Sequence, residues 1–168
     1  MPASLDAWYS LYDLQALGQR KACLAGEIEL KQLERLRELL DTDRGSVRAS
    51  LGFRQQATGH VTVDMEFETT LALVCQRCLE SLTHRVQEHV SLVVLQPDAT
   101  EASAPEGYEP VALSAGRLQP AALIEDELIV ALPLIPRHAR IAECGKLAQD
   151  IEAALVGSGL SNPPLRSH

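Results

Sequence analysis

The chain has 168 residues and a formal net charge of −8. This length suits one domain with a sizeable core, and the acidity argues against binding nucleic acid through a uniformly basic surface. Lys/Arg minus Asp/Glu gives −1 for residues 1–40, −2 for 41–90, −6 for 91–127 and +1 for 128–168, so a local basic patch remains available outside the acidic segment. No apolar run approaches the roughly 20 residues that cross a bilayer, and residues 1–6 lack the pattern of a secretory signal. We therefore expect a cytoplasmic protein that does not engage membranes.

Three short segments precede the first long strand. Residues 1–20 hold many of the chain's few aromatic residues and predict an N-terminal segment that docks on the core. A loose alternation over residues 21–30 indicates a short strand. Leucines at helical spacing then predict an amphipathic helix over residues 31–40, with these leucines facing the core: Leu33, Leu36, Leu39 and Leu40.

Three alternating runs follow, at residues 46–55, 61–74 and 85–95. Val63, Met65 and Phe67 occupy alternate positions in the middle run and should share one buried face. The connections are shorter than the dozen or more residues that a parallel crossover needs. The sequence therefore predicts three neighbouring antiparallel strands.

The second half of the chain is predicted to contain a short strand and two helices. Residues 108–113 indicate a short strand, and a helix should run from Pro120 to about residue 132 before prolines end it. We expect the acidic residues 125–127 of this helix to lie on a solvated face. A second helix is predicted over residues 147–156.

These elements predict an α+β fold with one domain over residues 1–160. Its centre would be an antiparallel sheet that curls toward a barrel, with two or three flanking helices. Residues 96–107 combine prolines with acidic residues and predict a mobile acidic loop. Residues 161–168 should form an extended C-terminal tail.

Cysteine and histidine occur at spacings that suggest a metal site. Cys75 and Cys78 form a Cys-x-x-Cys turn between two predicted strands, and His138 and Cys144 follow the long helix. Structural zinc takes four nitrogen or sulfur ligands in tetrahedral geometry. These four residues are therefore candidate zinc ligands. Because five residues separate His138 from Cys144, the second pair is wider than usual, and free thiols without a metal remain the alternative.

Patterns typical of enzymes are absent from the sequence. It contains no nucleophile elbow and no glycine-rich phosphate loop. A thioredoxin-type Cys-x-x-Cys opens a helix, whereas this one lies between predicted strands. We expect a protein that is not an enzyme and has no small-molecule substrate, with a thiol-dependent or metal-dependent enzyme as an alternative.

Basic residues on or beside the central strands are candidates for RNA contact. Arg48, Arg54, Arg77 and Arg85 could bind phosphates if they share a face. An ordinary solvated sheet face is the competing interpretation. The acidic loop and the helix bearing Glu125 favour a different function, binding to a basic protein without RNA contact.

Four sequence blocks, in order along the chain, resemble the YceD family. They are Cys75-Gln76-Arg77-Cys78, Tyr108-Glu109-Pro110, the run from Glu125 to Pro133, and Pro136-Arg137-His138 followed by Cys144. The resemblance implies a bacterial ribosome biogenesis factor that supports synthesis, processing or accumulation of large-subunit (23S) ribosomal RNA. It also implies ribosomal RNA or a ribosome-associated protein as the partner. In the alternative function, the acidic surface would bind a basic ribosomal protein or a nuclease without RNA contact.

Overall fold

The computed structural model of the chain describes residues 4–96, 99–100 and 104–157. Single-turn 3₁₀ helices at Leu30–Gln32 and Ile141–Glu143 supplement the regular elements. In chain order, these elements are β1 (Tyr9–Ser10), α1 (Leu11–Gln19), β2 (Cys23–Glu29), α2 (Glu34–Arg37), β3 (Ser46–Gln55), β4 (Val61–Val74), β5 (Ser81–Val94), β6 (Glu109–Val111), β7 (Arg117–Leu118), α3 (Pro120–Val130) and α4 (Lys146–Gly157).

The main sheet has five strands in the order β2-β3-β4-β5-β6. Its first four strands are antiparallel neighbours, which confirms the predicted pairing of the three long runs. β3 and β4 have the predicted bounds, whereas β5 begins four residues before the predicted start at residue 85. β4 and β5 pair over 14 residues each, from Val61 opposite Val94 to Val74 opposite Ser81. This long hairpin ends at the Cys-x-x-Cys turn.

The sheet does not curl into a barrel, so that part of the prediction was wrong. Within the described ranges, the edge strands β2 and β6 do not pair with each other. β6 is only three residues long and joins β5 in parallel, which makes the sheet mixed rather than purely antiparallel. A barrel closes only when both edges pair along their length. Here α1 packs against β3 and β4 instead and covers the inner face of the sheet.

The core lies between this inner face and the helices. Val63, Met65 and Phe67 are each at most 3% exposed, which confirms the predicted buried face of β4. The alternation of buried and exposed positions along β3 and β4 reflects a sheet with one apolar side. The helices contribute Leu14 and Leu17 from α1 and Leu123, Ile124 and Leu128 from α3 to the same core.

The N-terminal segment docks on the core as expected, but it also contains a helix that was not predicted. Ser10 caps α1: its hydroxyl oxygen accepts a hydrogen bond from the Asp13 amide at 3.2 Å. The Asp13 carboxylate accepts one from the Ser10 amide at 2.9 Å. This reciprocal capping box fixes the start of the helix. Tyr9 is buried, whereas Trp8 and Tyr12 are exposed.

The predicted helix over residues 31–40 is broken into two short turns. Leu33 has φ −91° and ψ 88°, which is not helical and separates the 3₁₀ helix Leu30–Gln32 from α2. Leu30, Leu33 and Leu36 are all buried. Packing of these side chains in the core, rather than the helical spacing of the leucines, therefore decides the backbone conformation here. Leu39 is 51% exposed, so its predicted place in the core was wrong.

Four α-helices are present in the described part of the chain, against two or three predicted. The longest has 12 residues. No helix there is long and apolar enough to span a membrane. The predicted acidic loop at 96–107 falls partly outside the described residues, and the tail at 161–168 falls wholly outside them.

Glu125 is not on a solvated face, contrary to expectation. It is 7% exposed and caps α2 from the neighbouring helix α3. One carboxylate oxygen accepts the Arg35 and Leu36 amides at 2.7 and 3.1 Å, and the other accepts two nitrogens of the Arg35 guanidinium. Burial raises the pKa of Glu125, but these hydrogen bonds and the adjacent cation outweigh burial and hold the pKa below its ordinary 4.5. Since α2 has no capping side chain of its own, Glu125 fixes the start of this helix.

Replacing Glu125 by Ala should lower the free energy of unfolding by about 2 kcal/mol at neutral pH, because the buried Leu36 amide and the half-buried Arg35 amide lose their acceptor. The folded-state pKa is depressed, so the contribution is complete above pH 4.5 and disappears as the pH falls through the folded pKa. Urea unfolding at several pH values should therefore show the wild type and Glu125→Ala converging below pH 4.5. The control is Asp126→Ala, which removes an exposed partner of the same arginine and should cost only about 0–1 kcal/mol. Equal effects of the two substitutions would contradict the capping role.

Candidate metal centre

The first half of the site is the turn at the end of the β4–β5 hairpin. Cys75 directly follows β4, and Cys78 lies three residues before β5. The Leu79 amide donates to the Cys75 carbonyl at 2.8 Å, and the Cys75 amide donates to the Glu80 carbonyl at 2.9 Å. Leu79 adopts a left-handed conformation with φ 62°, which reverses the chain tightly. The turn thereby holds the two cysteines in a compact loop.

The second half of the site lies between α3 and α4. The 3₁₀ helix Ile141–Glu143 occupies the interval between His138 and Cys144, and the Cys144 amide donates to the Ile141 carbonyl at 2.9 Å. The Gln149 side chain donates to the Cys144 carbonyl at 2.6 Å. This coiled path brings Cys144 back to His138. The five-residue interval, which weighed against a metal site in the sequence, is therefore no obstacle.

Direct contacts join the two halves. The Gln76 amide donates to the Pro136 carbonyl at 2.8 Å. His138 Nδ1 lies 3.5 Å from the Cys78 sulfur and 3.6 Å from the Cys144 sulfur. The ligand atoms of Cys75, Cys78, His138 and Cys144 all lie within 4.8 Å of one another. The structure thus brings together the four residues predicted as metal ligands.

Their spacing agrees with tetrahedral coordination. Metal–sulfur bonds of about 2.3 Å and a metal–nitrogen bond of about 2.05 Å place neighbouring sulfur and nitrogen ligands roughly 3.6 Å apart, and two sulfurs roughly 3.8 Å apart. The two sulfur–nitrogen distances of 3.5 and 3.6 Å match the first value. The cluster could therefore hold a metal ion with little rearrangement.

The electrostatics of the cluster also suit a cation. Burial raises the pKa of Cys75, but the backbone amides of His138, Arg77 and Cys78 donate hydrogen bonds to its sulfur and lower the pKa overall. Burial raises the pKa of Cys144, and the adjacent thiols of Cys78 and Cys75 raise it further. Like charges this close cannot all ionise unaided. A bound divalent cation would let all three thiolates form, since it supplies the opposite charge.

The candidate RNA-binding arginines occupy two different places. Arg48, Arg54 and Arg85 lie on the face of the sheet opposite the helices, here called the outer face, at exposed positions of β3 and β5. Arg77 is exposed in the turn between Cys75 and Cys78, beyond the end of β4. The four residues do not form one patch.

Carboxylates accompany the three arginines of the outer face. Arg48 forms ion pairs with Glu27 and Glu68, Arg54 lies 3.7 Å from Asp64, and Arg85 lies 3.9 Å from Glu68. A depression of about 900 Å³ on this face is also lined by Glu66 and Glu88. A nucleic-acid phosphate approaching these arginines would meet the carboxylates as well. The outer face is therefore a poor phosphate surface, and RNA contact by these arginines stays a prediction.

Arg137 is a residue of this region that the sequence reasoning did not select. It is exposed and lies between Pro136, whose carbonyl binds the turn, and His138. The sequence did contain a signal for this residue, since Arg137 lies within the Pro136-Arg137-His138 block that resembles the family. The segment that carries Arg137 contacts the turn that carries Arg77, although the two are about 60 residues apart in the sequence. No local pattern reveals this contact.

The fold and the site define an α+β protein with a three-cysteine, one-histidine cluster at the end of a long hairpin. The sequence profile of the family described as "Large ribosomal RNA subunit accumulation protein YceD" matches residues 63–157, which is more than half of the chain. This chain belongs to the YceD family, which confirms the resemblance noted in its sequence.

One relative extends the similarity over most of the chain. The large ribosomal RNA subunit accumulation protein YceD of Haemophilus influenzae is 29% identical over 148 residues, which cover 87% of this chain and 84% of the relative. No solved structure matches the chain. The similarity therefore includes both the hairpin and the segment carrying His138 and Cys144.

Proposed function

We propose that this protein is a non-enzymatic ribosome biogenesis factor that supports accumulation of large-subunit (23S) ribosomal RNA. The observation that carries the proposal is the family match over residues 63–157, which contains all but the first two residues of the long hairpin and all four residues of the cysteine–histidine cluster. The relative from Haemophilus influenzae has the same description, and its alignment covers 87% of this chain. The factor would act in the cytoplasm by binding RNA or a ribosome-associated protein.

We further propose that the cluster holds a structural zinc ion. Three sulfurs and one nitrogen are ligands typical of structural zinc, and four protein ligands leave no open position for a substrate or reactive water. Cys75 and Cys144 are buried, so the ion would be enclosed rather than presented to solvent. This closed ligand set supports a stabilising role and weighs against the alternative of a metal-dependent enzyme.

An acidic protein-binding module is the second candidate. The observation in its favour is the excess of carboxylates on the outer face, where five accompany three arginines: Glu27, Glu29, Asp64, Glu66 and Glu68. A basic protein would find complementary charge there. Glu125, which the sequence suggested for the same role, is engaged with α2 and contributes nothing to this surface.

Deleting the gene in its source cell should lower the ratio of large-subunit to small-subunit ribosomal RNA, measured by quantitative hybridisation. Re-expressing the wild-type chain or Cys23→Ser should restore the ratio, because Cys23 is exposed and distant in sequence from the cluster. Cys78→Ser should restore it poorly. An unchanged ratio after deletion would contradict the proposed function.

The purified protein should contain about one zinc ion per chain, and removing it with a chelator should lower the midpoint of thermal unfolding. Cys144→Ser should lose most of the zinc, whereas the matched control Cys23→Ser should keep it. Elemental analysis and thermal scans supply both readouts. Absence of zinc from protein purified without chelators, together with equal stability of the two variants, would argue for free thiols.

A further inference from the structure

Basic residues outnumber acidic ones in the two segments that carry the metal centre, residues 76–80 and 134–146, here called the metal end. Residues 76–80 and 134–146 carry four basic side chains, Arg77, Arg137, Arg140 and Lys146, against two acidic ones, Glu80 and Glu143. Their net charge is +2, so the rest of the chain carries −10. Three thiolates around a divalent ion would add a formal −1 and still leave this end positive. An acidic molecule thus has one basic end.

The segments that carry Arg77 and Arg137 contact each other. Arg77 stands between Gln76 and Cys78, and Arg137 stands between Pro136 and His138. The flanking residues touch across the two segments: the Gln76 amide donates to the Pro136 carbonyl at 2.8 Å, and the Cys78 sulfur lies 3.5 Å from His138 Nδ1. Both arginines are exposed. The contacts of their neighbours therefore bring the backbone of Arg77 close to that of Arg137.

These two arginines differ from those of the outer face in their ion pairs. Within residues 4–96, 99–100 and 104–157, no carboxylate lies within 4.0 Å of either Arg77 or Arg137. Arg48, Arg54 and Arg85 all have such a partner. A ligand anion at the metal end would not have to displace a carboxylate of the protein.

We propose that Arg77 and Arg137 form a phosphate-binding surface for RNA at the metal end, an inference that rests on the proposed function in ribosomal RNA accumulation. Guanidinium groups bind phosphate oxygens through paired hydrogen bonds. Two of them on adjacent rigid turns would contact neighbouring phosphates with little loss of conformational freedom. Lys146, exposed at the start of α4, extends the same basic end. Such contacts position RNA without reading its sequence.

Titration of purified zinc-loaded protein with a fluorescent transcript of a large-subunit ribosomal RNA segment tests the proposal. The double variant Arg77→Ala/Arg137→Ala should bind about tenfold more weakly near 0.1 M salt. The slope of log affinity against log salt should become less steep by roughly 1.4, or about 0.7 for each phosphate that is no longer bound. An unrelated RNA of equal length should lose affinity to a similar extent, because phosphate contacts carry no sequence information.

The matched control is Arg48→Ala/Arg85→Ala, which removes the same charge from the outer face. It should bind within about twofold of the wild type, because these exposed arginines are already paired. Zinc content and thermal midpoints should match the wild type for both double variants, which separates a weakened RNA interface from a disrupted fold. Equal loss of affinity in the two variants, or unchanged affinity of Arg77→Ala/Arg137→Ala, would overturn the proposal.

A third ligand distinguishes RNA from protein. If the wild type binds polyglutamate through Arg77 and Arg137 but does not bind the transcript, the surface fits an acidic protein and the RNA proposal is wrong. Exposed Leu79 and Ile135 beside the two arginines are the apolar contacts that such a partner would use. Leu79→Ser/Ile135→Ser should leave RNA affinity nearly unchanged, because phosphate contacts do not use apolar side chains.

Cell-based measurements separate this inference from the function on which it rests. If the deletion lowers large-subunit ribosomal RNA and Arg77→Ala/Arg137→Ala restores it fully, the inference is wrong and the function stands. If the deletion has no effect while the double variant still binds RNA more weakly than the control, the function is wrong and the binding surface stands.

Discussion

Three thiols and one imidazole within 4.8 Å of one another form the constraint on which the functional end of this molecule depends. The like charges of three thiolates repel, and burial disfavours the charged forms of Cys75 and Cys144, so the cluster needs either protons or a cation. A divalent cation would join the end of the β4–β5 hairpin to the segment between α3 and α4. The Gln76–Pro136 hydrogen bond and the contact between Cys78 and His138 already join the two segments.

The long hairpin determines where this constraint acts. β4 alternates buried and exposed residues as far as Val74, so the apolar face of Val63, Met65 and Phe67 anchors the strand that delivers Cys75. The return segment reaches the same point through a 3₁₀ helix rather than a regular element. Arg77 is exposed on the turn after β4, and Arg137 is exposed on the segment between α3 and α4. The distance between them therefore depends on whether these two segments are joined. The two joined segments thereby carry a net positive charge in a chain that is acidic as a whole.

Local patterns predicted the long strands and the cysteine turn, because alternation and a Cys-x-x-Cys spacing depend on neighbouring residues alone. They did not predict features decided by distant contacts. Glu125 looked solvent-facing by its helix position, yet it caps α2 across an interval of about 90 residues. Arg48 and Arg85 looked like free cations until the strand register placed Glu68 between them. The capping box of Ser10 and Asp13 was a local signal for α1 that the sequence reasoning missed.

X-ray absorption at the zinc edge of the purified protein tests the central claim most directly. If the four residues coordinate one zinc ion together, the spectrum should show three sulfur ligands at about 2.3 Å and one nitrogen ligand at about 2.0 Å. Cys144→Ser should then change the sulfur count of any residual zinc, whereas Cys23→Ser should not. A wild-type first shell dominated by oxygen and nitrogen, or one with only two sulfurs, would contradict joint coordination by the turn and the segment that carries His138 and Cys144.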